Sequence, residues 1–160
     1  MAEKKTLLLL VVVLLCGIVL GYALFSIAFS SDLHPQKQVI FTARAPVPVG
    51  PYSQAVSSGE LVFISGQIGI DPATGIIPAT IDGQTVQVME NIGAVLREAD
   101  LSFPDVIQSR IYLTNESDWV RVNEIYGHYF EGGYPARATV FVKGLPKGAV
   151  VEIEVIAKRS

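Results

Sequence analysis

An apolar, uncharged stretch of 23 residues from Leu7 to Phe29 dominates the N-terminal part of the chain. A helix of that length would reach about 35 Å, which exceeds the roughly 30 Å of hydrocarbon in a bilayer. Lys4 and Lys5 precede the stretch, and basic residues there favour a cytoplasmic N-terminus. The pattern therefore predicts a cytoplasmic segment at 1–6, a single-pass transmembrane helix over 7–29 and an extracytoplasmic remainder.

The same stretch admits a second interpretation as a signal peptide. Ala28 and Ser30 place small residues where a cut after Ser30 needs them, which would give a secreted or periplasmic protein. Signal-peptide cores are usually about 7 to 15 residues long, so an uncleaved anchor is the preferred interpretation. Residues 30–38 turn polar and contain Pro35, which predicts a tether to a folded domain over 39–160.

Charge and composition limit the chemistry expected of the folded domain. The formal net charge is -3, and Lys and Arg are scattered without a basic run, which argues against nucleic acid as a partner. The only cysteine, Cys16, lies in the apolar stretch, so the domain has no thiol for a disulfide or a nucleophile. His34 and His128 lack metal-ligand spacing, and we expect no metal site.

Hydrophobic periodicity predicts an α+β domain with the order strands, helix, strand, helix, strands. Apolar residues at three-to-four spacing predict a helix over 82–99, in which Val86 belongs to the buried stripe. A second stripe predicts a helix that is capped by Asn115 or Ser117 and ends at 130. Alternating or β-branched runs bounded by Gly and Pro predict strands over 39–42, 53–56, 61–70, 105–113, 137–143 and 149–157.

The number of helices indicates that one face of the sheet needs a partner. In the strand over 105–113 we expect Ile107, Ile111 and Leu113 on the buried face and polar residues on the other. Two helices packed on one face leave the second face, which mixes apolar and polar residues, without cover. Self-association would cover it, and we therefore expect a homo-oligomer with pockets between subunits.

Arg137 is the candidate for binding a small organic acid. It stands between Pro135 and a strand that begins at Ala138, so its guanidinium projects from a strand end. The planar fork of an arginine matches a carboxylate and binds it through two hydrogen bonds. An ion pair with an Asp or Glu on the surface is an equally good interpretation from sequence alone.

Glu152 is the candidate for proton transfer. It alternates with Val151 and Ile153 in an apolar strand, and Glu154 points to the same side. If the carboxylate is partly buried, its pKa should rise towards neutrality, which suits it to take a proton from water and return it. The alternative is a solvated strand face.

Tyr52 and the segment 65–67 are further candidates. The Tyr52 hydroxyl follows a rigid loop rich in proline and glycine, and Gly66 lies inside a predicted strand. Glycine within a strand indicates either a bulge or the close approach of a ligand to the backbone. A tyrosine at such a position either packs or binds.

Seven short motifs occur in order along the folded part. They are Gly50-Pro51-Tyr52-Ser53-Gln54-Ala55, Ser65-Gly66-Gln67-Ile68, Asp71-Pro72 with Thr74-Gly75, Gln84-Thr85, Asn91-Ile92, Pro135-Ala136-Arg137, and Leu145-Pro146-Lys147-Gly148 with Val151-Glu152-Ile153-Glu154. Together they resemble the Rid (YjgF/YER057c/UK114) family over nearly the whole folded part.

The resemblance implies a chorismate-mutase-like (bacillus-type) fold and a homotrimer with active sites in the subunit clefts. It also implies cofactor-free hydrolysis of reactive 2-imino acids, namely 2-aminoacrylate/2-iminopropanoate and 2-iminobutanoate, to 2-oxo acids and ammonia. By the same resemblance Arg137 would bind the substrate carboxylate and Glu152 would activate the attacking water. Five residues would line the pocket: Tyr52, Ser65, Gly66, Asn123 and Thr139.

A second function class remains open at this point. The family is expected to include members without clear enzymatic activity, and the apolar stretch 7–29 motivates a non-catalytic, membrane-tethered module that binds small carboxylates or proteins. Release of ammonia from a reactive imine would separate the enzyme from this alternative, whereas binding of 2-oxo acids without turnover would favour it.

Overall fold

The computed structural model describes residues 14–21 and 36–159, which belong to two compact units of the chain, 1–35 and 36–160. Residues 14–21 form a helix with exposed side chains, including that of Cys16. Within these two described ranges no helix is both long enough and apolar enough to cross a membrane.

The predicted localisation, a single-pass protein with a cytoplasmic N-terminus, is wrong in the light of this finding. Residues 7–13 and 22–29, the cut considered after Ser30 and residues 30–35 of the tether lie outside the described residues.

Six strands and two helices form the second unit, in the predicted order. The strands are β1 (Gln38–Ile40), β2 (Ala55–Ser58), β3 (Leu61–Ile68), β4 (Val106–Leu113), β5 (Ala136–Phe141) and β6 (Val151–Lys158). The helices are α1 (Ile81–Glu98) and α2 (Trp119–Gly127). Thr80 caps the N-terminus of α1: its side chain accepts a hydrogen bond of 3.1 Å from the Gly83 N–H, a backbone group without a partner inside the helix.

All six strands lie in one mixed sheet with the order β1-β2-β3-β6-β4-β5. Every neighbouring pair is antiparallel except β4 and β5, which are parallel and are joined by α2. α1 joins β3 to β4, so both crossover helices return the chain to the same sheet. This is the α+β architecture that the periodicity predicts.

The core lies between the sheet and the two helices. Inward side chains of β3, β4 and β6 pack against the apolar stripe of α1. Burying one such aliphatic side chain completely stabilises the fold by about 1.5–3 kcal/mol. Buried members include Val62, Ile64, Val88, Met89, Ile92, Leu96, Ile111, Leu113, Val151 and Ile153. Val86 is 43% exposed, so its predicted place in the stripe is wrong.

A bulge in β4 overturns one predicted facing. Val106 pairs with Ala157 and Gln108 pairs with Ile156, so β4 advances two residues while β6 advances one. The extra residue, Ile107, is 47% exposed instead of buried. Beyond a bulge, successive side chains point to the opposite faces from those that a regular strand would give. The prediction for Ile107, which assumed a strict period of two, fails for this reason.

The other face of the sheet is open in the described unit. Tyr112, Glu152 and Glu154 lie on this open face, since they alternate with buried residues of β4 and β6. Phe63 is 38% exposed and Val140, on the edge strand β5, is 40% exposed. The two helices thus cover one face only.

Candidate active site

Arg137 lies on the helix-covered side of β5. Its neighbour in the parallel register is Ser109, which is buried under α2. The guanidinium carbon stands 5.1 Å from the centre of the Tyr126 ring, within the range of a cation–π interaction. No Asp or Glu of the described residues forms an ion pair with Arg137. The structure therefore favours an arginine that is free to bind an anion over the surface ion pair.

A cavity of about 430 Å³ opens beside the Arg137 guanidinium. It is lined by Asn123, Tyr126, Gly127, Tyr134, Pro135 and Arg137. Asn123 and Tyr126 are three residues apart on α2 and so share a face of the helix. The predicted pair Arg137 and Asn123 is thus brought together. Thr139 is half-buried two residues further along β5 and does not line this cavity.

Tyr126 is a site residue that sequence reasoning missed, because its position in an apolar stripe indicated only packing. The ring is 2% exposed, and its hydroxyl shares a hydrogen bond of 2.7 Å with the Ser109 Oγ. Burial raises the pKa of this phenol, so the group stays neutral beneath the cation. The sequence signal that could have identified Tyr126 is its spacing of three residues from Asn123, which places both on one face of the helix.

Glu152 lies on the open face, between Ile68 of β3 and Tyr112 of β4 in the sheet register. The residue is half-buried. Burial raises the pKa of its carboxyl group, and the negative charge of Glu154 raises it further. The structure therefore favours the shielded carboxylate over the fully solvated strand face.

Gly66 makes room for the Glu152 carboxylate. Ile64 pairs with Val155 and Gln67 with Ile153, so β3 carries an extra residue at Ser65 and Gly66. A Cβ built on Gly66 would lie 1.9 Å from the Glu152 Oε1 atom. The bulge predicted for a glycine in this strand is therefore present, and the atom that approaches the Gly66 backbone is a carboxylate oxygen of the same chain.

Ser65 of β3 is bonded to the loop that precedes β2, and this loop carries Tyr52. The Ser65 N–H donates to the Gln54 carbonyl at 3.0 Å, and the Ser65 Oγ donates to the Ser53 carbonyl at 2.7 Å. Tyr52 is 46% exposed, accepts a hydrogen bond from the Val49 N–H at 3.2 Å, and borders a narrow cleft with Gly66. Tyr52 and Ser65 thus each lie beside Gly66, the residue whose backbone faces the Glu152 carboxylate.

Gln54 fixes that loop and was not predicted as a functional residue. Its side chain is 1% exposed and forms four hydrogen bonds with backbone groups. The partners are the Thr42 N–H (2.7 Å) and the carbonyls of Thr42 (3.0 Å), Ala45 (3.1 Å) and Pro46 (2.9 Å). The one indication of its importance in the sequence is that Gln54 belongs to the first of the seven motifs.

The predicted site residues fall into two groups on opposite faces of one sheet. Arg137 shares its face with buried Ser109, whereas Glu152 shares its face with half-buried Tyr112. Side chains that leave a sheet in opposite directions are separated by the backbone layer itself. Within one chain, Arg137 and Glu152 therefore do not meet.

This geometry defines a class of protein: a small α+β protein with one mixed sheet, two helices on one face, and its predicted site residues divided between the two faces. The chain belongs to the Rid (YjgF/L-PSP) family, since the family model described as Endoribonuclease L-PSP matches residues 42–159. The match confirms the resemblance and its chorismate-mutase-like fold, but not the added membrane segment.

Three similar proteins illustrate the family. A RutC family protein of Pyrococcus horikoshii is 51% identical over 122 residues, which cover 76% of this chain and 97% of that protein. A 2-iminobutanoate/2-iminopropanoate deaminase of Bos taurus is 43% identical and covers 76% and 89%. The crystal structure of E. coli TdcF with bound serine superposes with a TM-score of 0.75 at 42% identity and covers 77% and 99%. The chain is accordingly an enzyme, a hydrolase of the deaminase-like kind.

Proposed function

We propose that this enzyme hydrolyses reactive 2-imino acids, with 2-aminoacrylate/2-iminopropanoate and 2-iminobutanoate as substrates, to 2-oxo acids and ammonia. The bovine relative is named for this deaminase activity, and the relative TdcF was crystallised with serine, a small molecule with a carboxylate. A free Arg137 beside a cavity of about 430 Å³ suits an acid of that size.

The position of Arg137 and Glu152 on opposite faces carries the proposal that each site is shared between two copies of the chain. In a homotrimer, Arg137, Asn123 and Thr139 of one subunit would face Tyr52, Ser65, Gly66 and Glu152 of the next. The edge strand β5 exposes Phe141 (48%) and the open face exposes Phe63 (38%). Exposed apolar side chains beside an unpaired edge favour such self-association.

The chemistry follows from this arrangement. Arg137 holds the substrate carboxylate, which fixes the position of the imine carbon. Glu152 accepts a proton from a water molecule whose oxygen attacks that carbon and forms a tetrahedral carbinolamine. Glu152 then returns that proton to the former imine nitrogen, which becomes an amino group. Glu152 next moves the hydroxyl proton of the carbinolamine to the same nitrogen, the carbon–nitrogen bond breaks, ammonia leaves, and the carbon–oxygen bond becomes the carbonyl of the 2-oxo acid. Because the imine carbon is already electrophilic, the reaction needs no cofactor.

Mixing two inactive variants tests the shared site. Chains that carry Arg137→Ala and chains that carry Glu152→Gln should each be inactive alone, because each lacks one half of every site. Mixed trimers formed by co-expression should regain about a quarter of the wild-type ammonia release, since random assembly pairs a wild-type Arg137 with a wild-type Glu152 in that share of clefts. The substrate is 2-iminopropanoate generated in situ, and the wild-type full chain is the reference.

A control mixture pairs Arg137→Ala chains with chains that carry both substitutions, and it should stay inactive because no complete cleft can form. Mixed trimers without recovered activity would contradict the shared site. Binding of a 2-oxo acid by the wild-type chain without release of ammonia would instead favour the non-catalytic module.

Gly66→Ala tests the role assigned to the Glu152 carboxylate. The added methyl group occupies the position of the Glu152 Oε1 atom, so the carboxylate must rotate away. We expect kcat to fall at least about tenfold, as for a displaced catalytic group, while the melting temperature changes little because a flexible side chain can move. Gly144→Ala is the matched control, since a Cβ there meets nothing within 4 Å. Equal kcat for both variants would contradict the assignment.

A further inference from the structure

Arg110 and Glu154 form an ion pair on the open face that the proposed mechanism does not use. The two residues are direct cross-strand partners on β4 and β6, and the Arg110 Nη1 donates to the Glu154 Oε1. The same nitrogen lies 3.5 Å from the Tyr112 hydroxyl. The side chains of Arg110 and Glu154 are only 41% and 37% exposed. The pair is therefore partly shielded from water.

We propose that Arg110 controls the charge of Glu152 by neutralising Glu154, which makes Arg110 a positioning residue for proton transfer. This inference deepens the proposed function and rests on Glu152 as its base. Arg110 acts through Glu154 and Tyr112, since neither its own contacts nor its register place it against Glu152.

The spacing along β6 couples the two carboxylates. Glu152 and Glu154 are two residues apart on the same face of the strand, which separates their Cα atoms by about 7 Å. At that distance a negative charge still acts strongly across a partly buried surface, where screening is weaker than in water. An unpaired Glu154 would therefore oppose ionisation of Glu152.

The groups that face Glu152 leave Arg110 as the compensating charge. β3 presents Gly66 and Ile68 beside it, which carry no charge, and β4 presents the phenol of Tyr112. β6 itself contributes Glu154. Among the described residues, Arg110 is the positively charged side chain that contacts these neighbours, since it bonds to Glu154 and Tyr112. Burial and Glu154 both raise the pKa of Glu152, and Arg110 limits the second effect.

A carboxyl titration of the full chain by carbon-13 NMR measures this directly, without reference to activity. Arg110→Gln should raise the midpoint of Glu152 by about half a unit to one unit, because Glu154 loses its partner. Glu154→Gln should lower the midpoint, and the double variant should resemble Glu154→Gln alone. Arg110→Lys keeps the charge and should restore a midpoint close to that of the wild type.

Lys158→Gln is the matched control, because it breaks the ion pair with Glu60 (3.4 Å) at the far end of the same strand. Lys158 lies about 20 Å from Glu152 along β6, beyond the Debye length, so the midpoint should not move. An unchanged midpoint in Arg110→Gln would overturn the inference. A shifted midpoint without a matching shift in the acid limb of ammonia release would instead contradict Glu152 as the base of the proposed function.

Discussion

Replacing Arg137 with alanine is expected to abolish hydrolysis of 2-iminopropanoate generated in situ, with a loss of at least about a hundredfold in kcat/KM. The variant loses the two-pronged contact with the substrate carboxylate, and with it the orientation of the imine carbon. The assay measures ammonia release by the full chain. The kcat/KM of Arg137→Lys should lie between that of the wild type and that of Arg137→Ala, because lysine keeps the charge and loses the planar fork.

Arg44→Ala is the matched control for loss of an arginine. Arg44 forms a 3.6 Å ion pair with Glu98 at an exposed position and lines none of the cavities at the site. Its removal should leave the rate of ammonia release unchanged, since surface ion pairs contribute little. An Arg137→Ala chain that kept the full wild-type rate would rule out the carboxylate-binding role.

Replacing Glu152 with glutamine is the second large effect we expect. Glutamine has the size of glutamate and cannot accept the proton, so kcat should fall about 10²–10⁴-fold while KM stays close to that of the wild type. Glu60→Gln is the matched control, because Glu60 lies in an exposed ion pair with Lys158. A large rise in KM at constant kcat would show that Glu152 binds substrate and does not transfer a proton.

The pH profile belongs to the same experiment. Burial raises the pKa of Glu152 above its ordinary value, and the proposed base works only when unprotonated. The rate should therefore fall as pH decreases through that raised pKa, earlier on the acid side than for an ordinary glutamate. Glu152→Gln should lose this acid limb. An identical limb in the variant would assign the titration to another group.

The division of the site between two faces explains why neither half is complete in one chain. The Arg137 cavity depends on α2, which supplies Asn123 and Tyr126 on the covered side. The Glu152 carboxylate depends on the bulge of β3 on the open side. An enzyme built this way would become active only on assembly, because substrate orientation and water activation then come from different subunits.

Helix and strand positions were largely predictable, because local periodicity determines them. The facing of Ile107 was predicted wrongly because it depends on a contact between distant strands. Ile107 and Gly66 both sit at bulges, and a bulge is set by the register with β6 rather than by neighbours in the chain. The apolar run 7–29 shows another limit, since run length alone predicted a membrane span, whereas no helix among the described residues is long and apolar enough to cross a membrane.

The sequence by itself determined the order of strands and helices, the family, and the two residues on which the chemistry is expected to depend, Arg137 and Glu152. These follow from local patterns and short motifs. Only the tertiary structure decided that the two side chains leave opposite faces of one sheet, that Tyr126 lies beneath Arg137, and that Arg110 pairs with Glu154. The physical reason is that facing and pairing depend on strand register over long range, which no local pattern encodes.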